Sequence, residues 1–274
     1  MKIGNREFDM AGHCYVMGIL NLTPDSFSDG GRYTDIDTAL YRVEEMLKQG
    51  MDILDIGGES TRPGYTQISE AEEIDRVIPV ISRIKSSFDV PVSLDTYKSE
   101  VAKAGLEAGV DIINDIWGLK YDEKLAKLIA TANVPCIIMH NRKEEKSGFG
   151  YHNFITDVIN DLKDSLRIAE NAGISDDKII LDPGVGFAKS YEQNLQILAK
   201  LKRFHEFGKP LLLGASRKSV IGLTLDLSKE ERVEGTLATT ALAVESGCSF
   251  VRVHDIKENV RLIKMLEAVK AWDV

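Results

Sequence analysis

Cysteine is scarce: Cys14, Cys136 and Cys248 are the three in 274 residues, each in an apolar stretch and more than 100 positions from the next. That spacing offers neither a disulfide framework nor a zinc-ligand set, so buried thiols in a reducing compartment are the expectation. No stretch approaches the ~20 consecutive apolar residues of a membrane span. The start, Met1-Lys2-Ile3-Gly4-Asn5-Arg6-Glu7, lacks the apolar core of an export signal. A cytoplasmic protein without a membrane partner is therefore expected. Basic excess is missing too: 34 Lys+Arg against 43 Asp+Glu leave a net charge of −9. A nucleic-acid partner, which needs a basic stripe, is disfavoured. A small anionic substrate is not, because a few clustered cations in a cleft act locally. No Pro/Gly/Ser-rich linker divides residues 1–274, and α/β barrels reach this length as one domain.

Eight short β-rich apolar runs are present: Tyr15–Leu20, Ile53–Ile56, Val92–Leu94, Ile112–Ile113, Cys136–Met139, Ile179–Leu181, Leu211–Leu213 and Phe250–Val253. Near-continuous Val/Ile/Leu indicates strands buried on both faces of a parallel sheet. The segments between them read as helices. Ile74, Val77, Ile78, Ile81 and Ile84 keep helical spacing behind a capping-box pattern, Ser69-Glu70-Ala71-Glu72. Ser228-Lys229-Glu230-Glu231 has the same form before the seventh helix, which Gly247 follows. Lys98–Ala108 closes on Gly109, and Ile256, Val260 and Ile263 mark the last helix. Eight strand–helix units predict a (β/α)8 TIM barrel, with residues 1–13 as a short N-terminal cover over its bottom. An open α/β sheet is the alternative, but no G-x-G-x-x-G follows the first run.

Barrel chemistry sits at the C-terminal strand ends. Those ends read Asn21, Asp55, Asp95, Asn114, His140, Asp182, Ser216 and His254. A single strand-end Asp often caps a helix or anchors a loop. A ring of eight polar ends points instead to a polar ligand, because buried polar groups are costly without partners. Cations gather there as well: Arg62 after strand two, Arg217-Lys218-Ser219 after strand seven, and Arg252 inside the apolar run of strand eight. Arg252 must meet an anion or pair with a carboxylate. The loops after strands seven and eight are the usual phosphate corner of such barrels. Two Gly-rich turns, residues 57–64 and 182–189, can approach a ligand closely. The second begins with a carboxylate and carries Phe187, which suits a flat guanidine-like heterocycle.

The block Asn21-Leu22-Thr23-Pro24-Asp25-Ser26-Phe27-Ser28-Asp29-Gly30 resembles the first signature of the dihydropteroate synthases, a pterin-binding TIM-barrel family. Asp55-Ile56-Gly57-Gly58-Glu59-Ser60-Thr61-Arg62-Pro63-Gly64 is similar to the second. Ser93–Thr96, Ile113-Asn114-Asp115, Asp182–Phe187, Ser216–Ser219 and Arg252-Val253-His254 resemble the rest, in order along the barrel. Met139-His140-Asn141-Arg142 departs from the Gly-containing stretch that many members carry after strand five.

The resemblance implies a transferase of folate biosynthesis. It condenses 7,8-dihydropterin-6-ylmethyl diphosphate with 4-aminobenzoate, giving 7,8-dihydropteroate and diphosphate, and is the target of sulfonamides. It also implies roles. Asn21 helps to hold Mg²⁺ through its amide oxygen, while Thr61, Arg62, Arg252 and His254 grip the phosphates. Asp182, Asn114 and Lys218 read the pterin edge, with Met139 and Phe187 packing near its ring. Asp95, ionised, favours the methylene cation of an SN1-like reaction. Asp95, Lys218, Arg252 and His254 are thus the catalytic set. Thr23, Phe27, Pro63 and Ser219 serve aminobenzoate. No Ser–His or Cys–His pair suggests a covalent intermediate.

Two rivals remain at this stage. A pterin-dependent methyltransferase domain with a corrinoid partner shares the barrel and the pterin readers, but has no need of the loop after strand one or the Ser-Arg-Lys-Ser turn. A catalytically idle pterin binder would be expected to lose Asn21, Lys218 or the Arg252/His254 pair, and all are present. A homodimer through the late barrel helices is the expected assembly.

Overall fold

The chain begins with a small antiparallel ladder, β1 (Lys2–Ile3) and β2 (Arg6–Glu7), and then lays down the eight expected strands. These are β3 (Tyr15–Asn21), β4 (Ile53–Gly57), β5 (Val92–Asp95), β6 (Ile112–Asp115), β7 (Cys136–Met139), β8 (Ile179–Asp182), β9 (Leu212–Leu213) and β10 (Phe250–Val253). The structure is a computed structural model and describes residues 1–22, 32–60, 66–143 and 150–272. All pairings within the eight-stranded sheet are parallel, in the order β8-β7-β6-β5-β4-β3-β10-β9. A bridge between Leu181 and Leu211 closes the circle, and the Leu181 N–H donates to the Pro210 carbonyl at 2.9 Å. The (β/α)8 barrel is therefore present.

Helices fill the crossovers: α1 (Arg32–Lys48), α2 (Glu70–Ser87), α3 (Ser99–Glu107), α4 (Glu123–Ala132), α5 (Phe154–Ala172), α6 (Tyr191–Ala199), α7 (Ser219–Leu225), α8 (Val233–Ser246) and α9 (Ile256–Lys270). Ser69 caps α2 by accepting the Glu72 N–H at 3.2 Å, while the Glu72 carboxylate turns to Arg76 rather than completing the box. The Ser228 motif behaves differently from its sequence expectation. Its hydroxyl donates to the Glu231 carboxylate at 2.7 Å around a short 3-10 turn, and α8 starts only at Val233. A complete capping box occurs instead at Ser190 and Gln193, opening α6.

Strand alternation sorts the barrel into two interior layers. Met17, Ile53, Ile112, Ile137, Ile180, Leu212 and Phe250 pack with Ile3 and Phe8 of the N-terminal segment. Burying each such side chain stabilises by roughly 1.5–3 kcal/mol, and the N-terminal cover seals this lower end as expected. Two residues further along the same strands stand Ile19, Asp55, Asn114, Met139, Asp182, Gly214 and Arg252. The interior thus changes from hydrocarbon to charge in one step toward the C-terminal mouth. Residues of opposite parity, such as Leu54, Ile56, Val251 and Val253, join the helices in the outer core.

Candidate active site

A cavity of about 340 Å³ opens at that mouth. Asn21, Asp95, Phe187, Lys218, Ser219, Arg252 and His254 all line it. Asn114, Met139 and Asp182 lie buried in the layer beneath, and Gly214 of the cavity wall has room for a Cβ only 3.4 Å from Asp182 Oδ2. Thr23, Phe27, Thr61, Arg62 and Pro63 lie outside the described residues.

Arg252 occupies the centre. Its Nε donates to Asp55 Oδ2 at 2.6 Å and its Nη2 to Asp95 Oδ2 at 2.7 Å. The carboxylate pairing weighed from the sequence is therefore realised, with two acids rather than one. Burial opposes the guanidinium charge, but Asp55 and Asp95 outweigh it and hold its pKa above the ordinary value. Asn114 Nδ2 lies 3.4 Å from the buried Asp55. Burial pushes the Asp95 carboxyl up to about 7, with Arg252 opposing and Asp55 adding to the rise. The ionised Asp95 that the resemblance implies is thus favoured by Arg252 and opposed by burial and by Asp55.

The turn after β8 is built for close approach. Asp182 Oδ1 accepts the Gly184 N–H at 2.7 Å. Gly186 has φ +84°, and a Cβ there would stand 2.9 Å from Lys218 Cδ, so this position needs glycine for both conformation and space. Lys218 passes over it, donates to the Val185 carbonyl and holds its Nζ 4.6 Å from the Phe187 ring centroid. Burial brings the Lys218 pKa down to about 8, against the pull of Asp182. Burial raises the Asp182 pKa, with Lys218 the main opposing charge. Met139, Tyr97 and Ile116 form a small apolar cluster with Trp117 and Phe187 against it.

On the other wall, Ser216 Oγ accepts the His254 N–H at 3.2 Å and lies 3.0 Å from His254 Nδ1. Burial, then Arg252 and Arg217, lower the His254 pKa to about 3, so the imidazole is neutral at pH 7. Arg217 is spent on Asp255, with Nε to Oδ2 at 3.0 Å, although it borders the cavity. Asp115 accepts the Trp117 and Leu119 amides at 2.8 and 2.6 Å and serves its own turn. Ser219 opens α7, as expected.

Among the described residues, no group of three or more His, Cys, Asp or Glu side chains could hold a metal ion. The Asn21 amide oxygen faces Asp95 across Gly57, where an added Cβ would lie 3.7 Å from Asn21 Oδ1 and 3.6 Å from Asp95 Cβ. Such a sparse set of hard oxygens fits Mg²⁺, which keeps waters and shares substrate phosphates rather than filling a protein cage.

The sequence did not reveal a buried ionic cluster beside the cavity. Lys98 Nζ bonds Glu73 at 2.7 Å, the Ile68 carbonyl at 2.8 Å and also Glu59, which accepts the Tyr97 hydroxyl as well. Glu59 lies within a motif already singled out, and Lys98 follows Asp95 by three residues. Burial is what distinguishes them from surface charges, and residue order carries no trace of it.

The Pterin binding enzyme family profile matches residues 17–254. A dihydropteroate synthase from Clostridium beijerinckii is 55% identical over 270 residues, covering 98% of this chain and 99% of the relative. The dihydropteroate synthase structure from Clostridium difficile, obtained in the presence of pteroic acid, has a TM-score of 0.92 and 44% identity over 96% of this chain and 99% of that one. The Xanthomonas albilineans dihydropteroate synthase with 4-aminobenzoic acid has a TM-score of 0.88 and 41% identity over 94% of each chain. The barrel with its polar mouth belongs to the pterin-binding enzyme family, and its relatives there are dihydropteroate synthases.

Proposed function

We propose that this chain condenses 7,8-dihydropterin-6-ylmethyl diphosphate with 4-aminobenzoate, releasing diphosphate and 7,8-dihydropteroate. The observation that carries this reading is the cavity lined by Lys218, Arg252 and His254, with buried Asp182 and Asn114 in the same interior layer as Arg252. A flat head with a donor edge suits the acceptors Asp182 and Asn114, and a polyanion the cations and the imidazole. The methyltransferase alternative has no such support, since the relatives described above are dihydropteroate synthases.

Asp182 accepts the paired N–H donors of the pterin guanidine edge in this reading, with Asn114 offering donor and acceptor to the ring. Lys218 reaches the pterin carbonyl side, and Phe187 and Met139 flank the ring. Arg252 spends Nε and Nη2 on carboxylates, which leaves Nη1 to donate to phosphate oxygen. With the Ser216 hydroxyl proton given to Nδ1, neutral His254 keeps its Nε2–H for the same anion. Charge-assisted bonds of this kind are worth roughly 1.5–3 kcal/mol each, and they strengthen as the leaving diphosphate gains charge. Asn21 would help to hold Mg²⁺, which supplies further charge neutralisation on the diphosphate. Departure leaves a methylene cation spread over the pterin, which ionised Asp95 stabilises. The aminobenzoate amine is unprotonated at neutral pH and attacks the methylene carbon without a strong base, and the proton it then sheds passes to solvent. Ser219, at the start of α7, meets its carboxylate.

We also assign a homodimer. Leu223 and Leu225 of α7, Leu242 of α8, and Met265 and Val269 of α9 are exposed, as is the neighbouring Trp272. Exposed large apolar side chains on each of the late barrel helices support an interaction surface there, and a second copy is the occupant we assign. The buried free thiols of Cys14, Cys136 and Cys248 fit a cytoplasmic setting, and among the described residues no helix is long and apolar enough to cross a membrane. The decisive assay follows diphosphate release from pterin diphosphate, aminobenzoate and Mg²⁺, omitting each in turn. Release that needs both organic substrates supports the assignment; release without aminobenzoate, or none at all, removes it.

A further inference from the structure

Lys189 closes the turn after β8, one residue before the Ser190 cap of α6, and the proposed reaction gives it no task. Its Nζ lies 2.8 Å from His140 Nδ1, 2.8 Å from the Gly184 carbonyl and 2.9 Å from the Phe187 carbonyl. His140 is buried at the end of β7, and its Nε2 lies 2.9 Å from Asp161 Oδ2 on α5. Arg142 donates to the same carboxylate, Nη2 to Oδ1 at 3.1 Å.

The hydrogen-bond directions follow from this chain. Hydrogen bonds from His140 and Arg142 hold Asp161 below the usual carboxylate range despite its burial, so it only accepts. The His140 proton therefore sits on Nε2, and Nδ1 presents a lone pair. Lys189 must donate to it and to two carbonyls, which requires all three protons of an ammonium. Burial, with Lys218 and Arg142, holds the Lys189 pKa well below the ordinary lysine value against the pull of Asp182 and Asp161, so the third proton is kept by the three acceptors around it. A neutral amine would leave one of the three acceptors unpaired.

We propose that Lys189 is a positioning residue for the pterin subsite, acting through Phe187 and Lys218. The Gly184 and Phe187 carbonyls that it fixes bracket Val185, whose own carbonyl receives Lys218. The Phe187 ring under Lys218 belongs to the same turn. Asn194 holds the turn from the other side, accepting the Gly186 N–H at 2.6 Å and donating to the Ser190 carbonyl at 2.8 Å. That second fastening ties the turn to α6; Lys189 ties it to β7 and so to the barrel wall. Without the ammonium the turn keeps its bonds to α6 and to Asp182 at the end of β8 but loses its tie to β7, and both pterin contacts shift with it.

This inference rests on the proposed activity, so wild-type diphosphate release is measured first; its absence counts against that activity and not against the positioning role. Lys189→Ala and Lys189→Met are then compared with both substrates varied separately. The expected result is a KM for pterin diphosphate raised about tenfold or more, a kcat lowered by less than in Lys218→Ala, and an aminobenzoate KM within about threefold of wild type. Added n-propylammonium restores the pterin KM of Lys189→Ala, whereas uncharged n-propanol does not. An unchanged pterin KM in either folded variant overturns the proposal, as does equal rescue by the alcohol. Loss of folding in both variants also overturns it, because Lys189 would then be a requirement of the barrel rather than of the site.

Discussion

Arg252 Nη2 lies 2.7 Å from Asp95 Oδ2, so the cation assigned to the leaving group and the acid assigned to the developing carbocation are bonded to each other. The guanidinium also meets Asp55, 2.6 Å from its Nε. A single side chain thus compensates the buried Asp55 and the partly exposed Asp95 and still has one amino group for an anion. Diphosphate arriving at Nη1 would share this cation with Asp95, and its departure would return the guanidinium wholly to the acids.

Stability should depend on that pairing. Arg252→Met leaves buried Asp55 and partly exposed Asp95 without their cation, and stranding a buried charge such as Asp55 costs up to about 3–5 kcal/mol. Urea unfolding will read the loss, and adding Asp55→Asn should recover part of it. A variant as stable as wild type would show that Arg252 does not hold the acids in solution.

Turnover should collapse when the cavity loses a donor. Lys218→Ala is expected to lower kcat by about 10²-fold or more, as removal of a preorganised transition-state donor does. Near-normal turnover in a single-turnover quench would remove Lys218 from the mechanism.

The pH dependence of kcat/KM should be bell-shaped. Asp95 must be ionised, so the rate climbs as pH rises through about 7. Lys218 must keep its proton, so the rate falls as pH rises through about 8. These limbs report the free enzyme. A profile level from about pH 6 to 9 would contradict both assignments.

Asp182→Asn replaces an acceptor with an amide that presents its own donors to the pterin edge. Calorimetric titration with the pterin diphosphate should show affinity lost, while circular dichroism shows the barrel intact. Undiminished binding would make Asp182 merely the anchor of the Gly184 amide.

Residue order revealed the barrel because each inner-facing run is apolar for most of its length and polar only at the end. Met17, Ile53 and Phe250 announce the core, and Asn21, Asp55 and Arg252 announce the mouth. The pairing of Arg252 with Asp55 was not legible: 197 residues separate them, and β3 stands between their strands. Lys98, Glu59 and Glu73 look like ordinary helix and loop charges until folding buries them. The Ser228 pattern misled for a local reason, since its hydroxyl found the Glu231 carboxylate instead of the backbone amide that a cap requires. Lys189 was visible as the end of a quoted turn, but its three acceptors come from two separate elements.

The most direct measurement is a crystal structure with the pterin diphosphate bound. The account predicts the bicyclic head against Asp182 and Asn114, Phe187 beside it, and phosphate oxygens within hydrogen-bond reach of Arg252 and His254. A head lodged outside the strand-lined layer, or a diphosphate remote from Arg252, would contradict it.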